Sequence, residues 1–263
     1  DGRSEDTTNL ERFKVYAPAN GFLVDIEQHT DYRVVIEHSC TFYTIFIHVD
    51  KLSDKIMAAA GLKEGEVGNH VWPRIPVEEG EVIGTIGIGK LDFSVIDGDV
   101  TLKNFVKPES YEGEPWKIHT VDTFDYYEEP LRSRLIAKNV RTISPLGGKI
   151  DYDIEGKLVG NWFRQGTGKY KGNLGEYWTN HLSIVYDSID PSQIRISVGD
   201  FNGRGEQFGV KGNSPDPATA DGIVKYELTP FDYYTGGTSE KWNPAKFSDD
   251  IRGRNLDEVR VVA

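Results

Sequence analysis

Phe42-Tyr43-Thr44-Ile45-Phe46-Ile47 is the run whose reading decides the fold class. Every residue in it is aromatic or β-branched, the types that pack well on a pleated surface and lose side-chain freedom in a helix. Outward from it lie Arg33-Val34-Val35-Ile36 and Phe22-Leu23-Val24-Asp25-Ile26 on one side and Leu91-Asp92-Phe93-Ser94-Val95-Ile96 on the other. The second half repeats the pattern in Leu182-Ser183-Ile184-Val185-Tyr186, Gln193-Ile194-Arg195-Ile196-Ser197-Val198 and Ile223-Val224-Lys225-Tyr226-Glu227-Leu228. Turn residues bound each run, as they bound short strands. Helix signals are few: Val49 to Ala60, with Asp50 or Ser53 as cap and Gly61 as stop, and a weaker turn over Glu128 to Lys138. The expected fold is all-β, in two domains.

The division is expected between about Thr120 and Ser144, giving a first domain over residues 1–125 and a second over 126–263. Arg132, Arg134, Lys138 and Arg141 form a basic patch in that stretch, read as a partner surface or a clamp between domains. From Pro230 onward there is little periodicity until Val259-Arg260-Val261-Val262, which suggests an extended tail over the second domain.

A net charge of -12 opposes binding to nucleic acid or to an anionic membrane surface, both of which require clustered Lys and Arg. No apolar run approaches the roughly 20 residues of a spanning helix. The polar opening Asp1-Gly2-Arg3-Ser4-Glu5-Asp6 reads as the start of a mature chain after signal removal, placing the protein outside the cell or in its envelope. The single Cys40 excludes an internal disulfide; lying in an apolar strand-like run, it is expected to be a buried, inert thiol.

Between Val35 and Gly84, His38 is followed by Thr44, Phe46 and His48, and then by the strand-like run Ile75-Pro76-Val77-Glu78-Glu79-Gly80-Glu81-Val82-Ile83-Gly84. Upstream stands Val15-Tyr16-Ala17-Pro18-Ala19-Asn20-Gly21-Phe22-Leu23. Over residues 13–96 this layout resembles the lysostaphin-type (LytM-like, duplicated hybrid motif) zinc metallopeptidases of cell walls. The resemblance implies a β-sheet or barrel-sandwich hybrid domain, and in it His48 falls on the second catalytic histidine. The metal-binding positions have changed: the motif Asp falls near Asp6, its His at Gly2, and the H-x-H triplet becomes Lys90-Leu91-Asp92. Zinc with an open position for an activated water needs neutral imidazoles and a carboxylate, and an ammonium at Lys90 repels it.

His38 and His48 are ten positions apart and of like strand parity, so both are expected on one sheet face. They read either as a pair hydrogen-bonded to Tyr or a carboxylate, or as a relocated zinc site made of His38, His48 and Asp92. His29, His70, His119 and His181 have no ligand spacing and read as ordinary surface or loop residues. Asp200, Asn202 and Glu206 are candidate calcium ligands in a loop that also reads as a plain Asn-Gly hairpin turn. Gly160-Asn161-Trp162 is similar to the G-x-W opening of lipocalin-like barrels, and the second domain is expected to be a β barrel or sandwich. Trp162, Trp178, Tyr170 and Tyr177 form either core or a sugar-stacking platform.

Three functional expectations follow. The first is a non-catalytic envelope module, a pseudoenzyme that binds glycan or peptide in a groove around His38, His48, Lys90 and Asp92. The second is a zinc endopeptidase with rearranged ligands. The third is a structural subunit that self-associates through strand edges.

Overall fold

The computed structural model describes residues 13–87, 91–173, 176–244, 250–256 and 261–262, the last pair as backbone alone. The architecture is all-β with several sheets and two short α-helices. Two compact units form, the first running to Thr101 and including His119–Val121, the second comprising Leu102–Ile118 and the chain from Asp122. Hydrogen bonds explain the exchange. Thr120 pairs with Ile96, whereas the Asn104 and Val106 amides donate to the carboxylates of Asp151 and Asp153.

In the first unit the order is β1 (Phe13–Tyr16), β2 (Gly21–Gln28), β3 (Tyr32–Glu37), β4 (Phe42–Val49), β5 (Lys51–Leu52), helix α1 (Asp54–Ala60), β6 (Asn69–Val71), β7 (Ile75–Val77), β8 (Val82–Ile86), β9 (Asp92–Asp97) and β10 (Thr120–Val121). One antiparallel sheet runs β10-β9-β4-β3-β2-β6, with β7 also on β2; a second runs β1-β8-β5. Alternation sends Leu23, Ile26, Val34, Ile36 and Phe46 into a core shared with Ile56 of α1 and with Ile83. Ser53 caps α1, accepting from the Ile56 amide, and Gly61 closes it in the left-handed region. The run Ile75 to Gly84 is two strands rather than one: the Gly80 amide donates to Ala17 and turns the chain from the large sheet to the small one. Cys40 is exposed. It sits in the β3–β4 turn, where the His38 and Ser39 amides both donate to the Phe42 carbonyl, so the expected burial fails at the hairpin tip.

In the second unit, helix α2 (Leu131–Ile136) precedes β11 (Gly160–Phe163), β12 (His181–Tyr186), β13 (Ile194–Phe201), β14 (Arg204–Val210), β15 (Glu227–Thr229), β16 (Phe231–Thr235), β17 (Ile251–Asn255) and β18 (Val261–Val262). The main sheet has the order β11-β12-β13-β14-β15-β18, and β16-β17 pair separately. The sheet is open, with no closed barrel among the described residues, so the lipocalin-like closure is not formed. Ile223 to Tyr226 lies outside the strands despite its alternation; Ile223 is fully exposed and only Glu227–Thr229 pairs. The stretch after Pro230, which lacks periodicity, nevertheless supplies the β16–β17 hairpin.

A buried polar network stands beside the apolar core of this unit. Asp187 accepts from the Ile189 and Asp190 amides and from the Tyr233 hydroxyl at 2.6 Å, with Arg195 Nε at 3.5 Å. Asp190 accepts from Ser192 and from the Gly253 amide. Arg141 is buried too, donating to the carbonyls of Ile143, Pro145 and Ser188. It is therefore a strut inside the second unit and not part of a surface basic patch.

Candidate functional site

The β3–β4 hairpin separates the two histidines that the sequence brings together. Glu37 pairs with Tyr43 at the turn end and Tyr32 with Val49 at the other. His38 thus lies by the turn and His48 roughly 20 Å along β4, at ~3.3 Å per residue. No single metal ion spans that distance. His38 is held locally, Nδ1 against the Asn20 carbonyl and Nε2 against Thr44 Oγ1, both at 2.9 Å.

His48 occupies a bulge. Val34 opposes Phe46 while Tyr32 opposes Val49, so β4 carries an extra residue there. The extra residue is His48, at φ 70°, a left-handed conformation that His adopts more readily than most side chains. Its Nδ1 lies 2.6 Å from Asp31 and its Nε2 3.9 Å from Asp92, with the ring half exposed. The hydrogen bond to Asp31, followed by the charges of Asp31, Asp92 and Asp50, raises its pKa above the usual imidazole value. Its Nδ1 is thus engaged by Asp31. His48 and Asp92 are neighbours in the fold, with Asp31 as the partner the sequence did not single out; Lys90 lies outside the described residues, as does Asp6. The residues present do not fit the zinc site that the resemblance implies.

His70, read from sequence as ordinary, joins a cluster. Its Nε2 lies 2.8 Å from Asp25, and single ligand atoms of Asp25, Glu27 and His70 fall within 4.8 Å of one another. Register explains the meeting, because Glu27 pairs with His70 on one side and with Arg33 on the other. Arg33 Nη1 is 3.0 Å from both carboxylates and offsets one of their two charges. The Asp200 loop is a hairpin turn between β13 and β14: Asp200 accepts from the Gly203 amide, Asn202 and Gly203 both have positive φ, and Glu206 pairs with Arg204. Both of its carboxylates are thus engaged within the hairpin.

A cleft of about 630 Å³ lies in the second unit, lined by Lys107, Tyr111, Asp153, Lys157, Trp162 and Arg164 among others. That volume lies within the range of small-ligand sites. Its walls are the 106–111 loop, the 153–157 turn, β11 and the 164–169 turn. Asp153 ties two walls together, Oδ1 accepting from the Asn161 amide and Oδ2 from the Val106 amide. Burial raises its pKa above the usual carboxylate value, with those two amide bonds opposing the shift. Gly160, at φ 134°, is required there because a Cβ would collide with Asp153.

Behind β11 an aromatic cluster stiffens the floor. Tyr111 lies 4.6 Å from Phe105, 5.1 Å from Tyr170 and 5.6 Å from Phe163 between ring centroids. Asn161 donates to the Tyr111 hydroxyl and accepts from Ser183. Burial raises the Tyr111 pKa and lowers that of His181, whose Nε2 lies 2.7 Å from the Tyr170 carbonyl. Of the four aromatics read as core or platform, Tyr170 belongs to this cluster, Tyr177 packs on it, and Trp162 and Trp178 are about half exposed at 46% and 48%. The Trp162 indole N–H donates to the Leu158 carbonyl, which fixes the ring at the cleft wall.

Charge distinguishes the cleft from the rest of an acidic chain. Lys107, Lys157 and Arg164 line it and pair with no carboxylate among the described residues. Lys169 differs, with Nζ on the Glu109 carbonyl and 3.8 Å from Glu112. The sequence signal for the cleft was Gly160-Asn161-Trp162 with flanking glycines; the loop at 106–111 carries no motif that announces it. Comparison with known proteins finds no matching family, no matching curated protein and no matching solved structure.

Proposed function

We propose that this chain is a non-catalytic binding protein of the extracellular space or cell envelope, and that its glycan or peptide ligand seats in the cleft of the second unit. One observation carries the reading: a cleft of about 630 Å³ that combines a half-exposed, hydrogen-bond-fixed Trp162, a half-buried Asp153 and three cations with no carboxylate partner among the described residues. Such a mixture of apolar wall and few oriented polar groups is how small-ligand sites are built. The location outside the cell rests on the cell-wall peptidase resemblance of the first unit. The separation of His38 from His48 and the engagement of His48 by Asp31 support a non-catalytic role for that unit.

Calorimetric titration of the chain with N-acetylglucosamine oligomers and with short acidic peptides tests this. One class of probe is expected to bind, and Trp162→Ala to weaken binding at least tenfold, about 1.4 kcal/mol. Absence of binding by either class, or undiminished binding by Trp162→Ala, defeats the reading. Zinc content measured by mass spectrometry on chelator-free protein is expected well below one per chain. A stoichiometric metal together with peptidase activity abolished in His48→Ala would replace this proposal with a zinc endopeptidase.

A further inference from the structure

The cleft is built along an open strand edge. Among the described residues β11 is terminal in its sheet, paired with β12 alone through Gly160–Ile184, Asn161–Ser183, Trp162–Leu182 and Phe163–His181. The Arg164 amide donates to Asn180 on the β12 side, and in an antiparallel ladder amides alternate sides. The Asn161 and Phe163 amides therefore point away from β12. The first of them already has a partner there, the carboxylate of Asp153. The amide and carbonyl of Phe163 and the carbonyl of Asn161 face outward on that same edge. An unpaired edge of this kind is a template for another extended chain.

Side-chain alternation adds a requirement. Trp162 and Arg164 are two residues apart and share one face of the strand, while Asn161 and Phe163 turn to the aromatic cluster on the other. A strand laid beside β11 presents its own residues with the same period. One of its side chains meets the Trp162 ring and the next but one meets the Arg164 guanidinium, with Lys107 and Lys157 also lining the cleft. All three cations lack carboxylate partners within the described residues, in a chain whose net charge is -12.

We propose that the ligand of this cleft is an extended acidic peptide, added as a further strand to the outer edge of β11, with an apolar or aromatic side chain against Trp162 and an acidic one two positions away against Arg164. This rests on the assignment of the cleft as the ligand site. Backbone pairing supplies the affinity and the two side chains the selectivity. The outward pairing groups are the amide and carbonyl of Phe163 and the carbonyl of Asn161, since the Asn161 amide is held by Asp153.

The test uses the full chain, fluorescence anisotropy and four probes: an eight-residue peptide alternating Thr and Val with one Phe-x-Asp step; the same peptide with Lys for Asp; the Phe-x-Asp peptide N-methylated at alternate residues; and tetra-N-acetylglucosamine. The Phe-x-Asp peptide is expected to bind at least tenfold tighter than its Lys counterpart and than the N-methylated form. Arg164→Glu, an exposed substitution whose folding circular dichroism verifies, is expected to invert the Asp-over-Lys preference. Lys157→Glu is expected to reduce it. Equal binding of the N-methylated and unmethylated peptides overturns strand addition. Binding of the saccharide but of no peptide overturns the peptide class and leaves the cleft as the ligand site. Failure of all four probes overturns both.

Discussion

The two units hold themselves together by different means. Among the described residues, fifteen buried apolar residues form one cluster in the first unit, against seven in the second. The second unit adds what the first nearly lacks, charged groups buried in a connected network: Asp187, Asp190 and Arg141, with Arg195 beside them and Phe231 stacked on its guanidinium at 4.0 Å. In the first unit the main buried polar side chain is Gln28, and it is satisfied by Tyr32, Lys63 and Asn69. Apolar burial is non-directional and tolerates small shifts. A buried ion network fixes geometry but penalises the loss of any member.

The sharpest way to break this contrast is Asp187→Ala. Removing that carboxylate leaves the Arg195 guanidinium and the Tyr233 hydroxyl without their buried partner, with Arg195 Nη1 already lacking a hydrogen bond. The expected cost is about 3–5 kcal/mol, read as a shift of the urea midpoint at constant slope. A loss under 1 kcal/mol would show that the network is ornamental and that the seven-residue cluster suffices. Leu23→Ala is the matching change in the first unit. Leu23 is fully buried, and the expected cost is about 3 kcal/mol, within the 2–5 kcal/mol typical of such cavities.

The same contrast governs what was legible in the sequence. Leu23, Ile26, Val34, Ile36 and Phe46 lie in short apolar runs rich in β-branched and aromatic residues and bounded by turn residues, so β2, β3 and β4 were readable from local pattern. Asp187 and Asp190 look like turn residues in Asp187-Ser188-Ile189-Asp190-Pro191, and nothing local reveals that Tyr233 and Gly253 come to meet them. The β16–β17 hairpin was invisible for a related reason: its outward and inward residues, Asp232, Tyr233, Arg252 and Gly253, follow a polar environment rather than an oily one. Ile223 to Tyr226 shows the converse error, an alternation with no partner strand. At the candidate sites, Thr44 with His38 and Asp92 with His48 are neighbours in the fold. The spacing that suggested one site from His38 and His48 ignored the reversal of direction between β3 and β4.

A smaller effect probes local against tertiary stabilisation in the first unit. The α1 helix spans only seven residues, and its Ser53 cap accepts from the Ile56 amide. Ser53→Ala is expected to cost about 1 kcal/mol, visible as a modest drop in melting temperature. A null result would mean that Ile56, fully buried in the core, holds the helix without the cap.

The smallest expected effect concerns His48, and its sign can be worked out. Asp31, and behind it Asp92 and Asp50, raise the folded-state pKa above the unfolded value near 6.5. A group raised in this way contributes stability that is fully present below about pH 6.5 and is lost as pH climbs through the folded pKa. The imidazole is half exposed, so solvent screens the pair and the contribution is expected below about 1 kcal/mol. His48→Asn isolates it, because Asn tolerates the left-handed backbone at this bulge while carrying no titrating charge. The difference in unfolding free energy between the chain and His48→Asn is expected to shrink from pH 6 to pH 8. The imidazole titration followed by NMR is expected to have its midpoint above 6.5. A midpoint below that value would mean that Asp31 does not hold the proton on His48, and the imidazole would then be free to act as the neutral ligand that the peptidase resemblance first suggested.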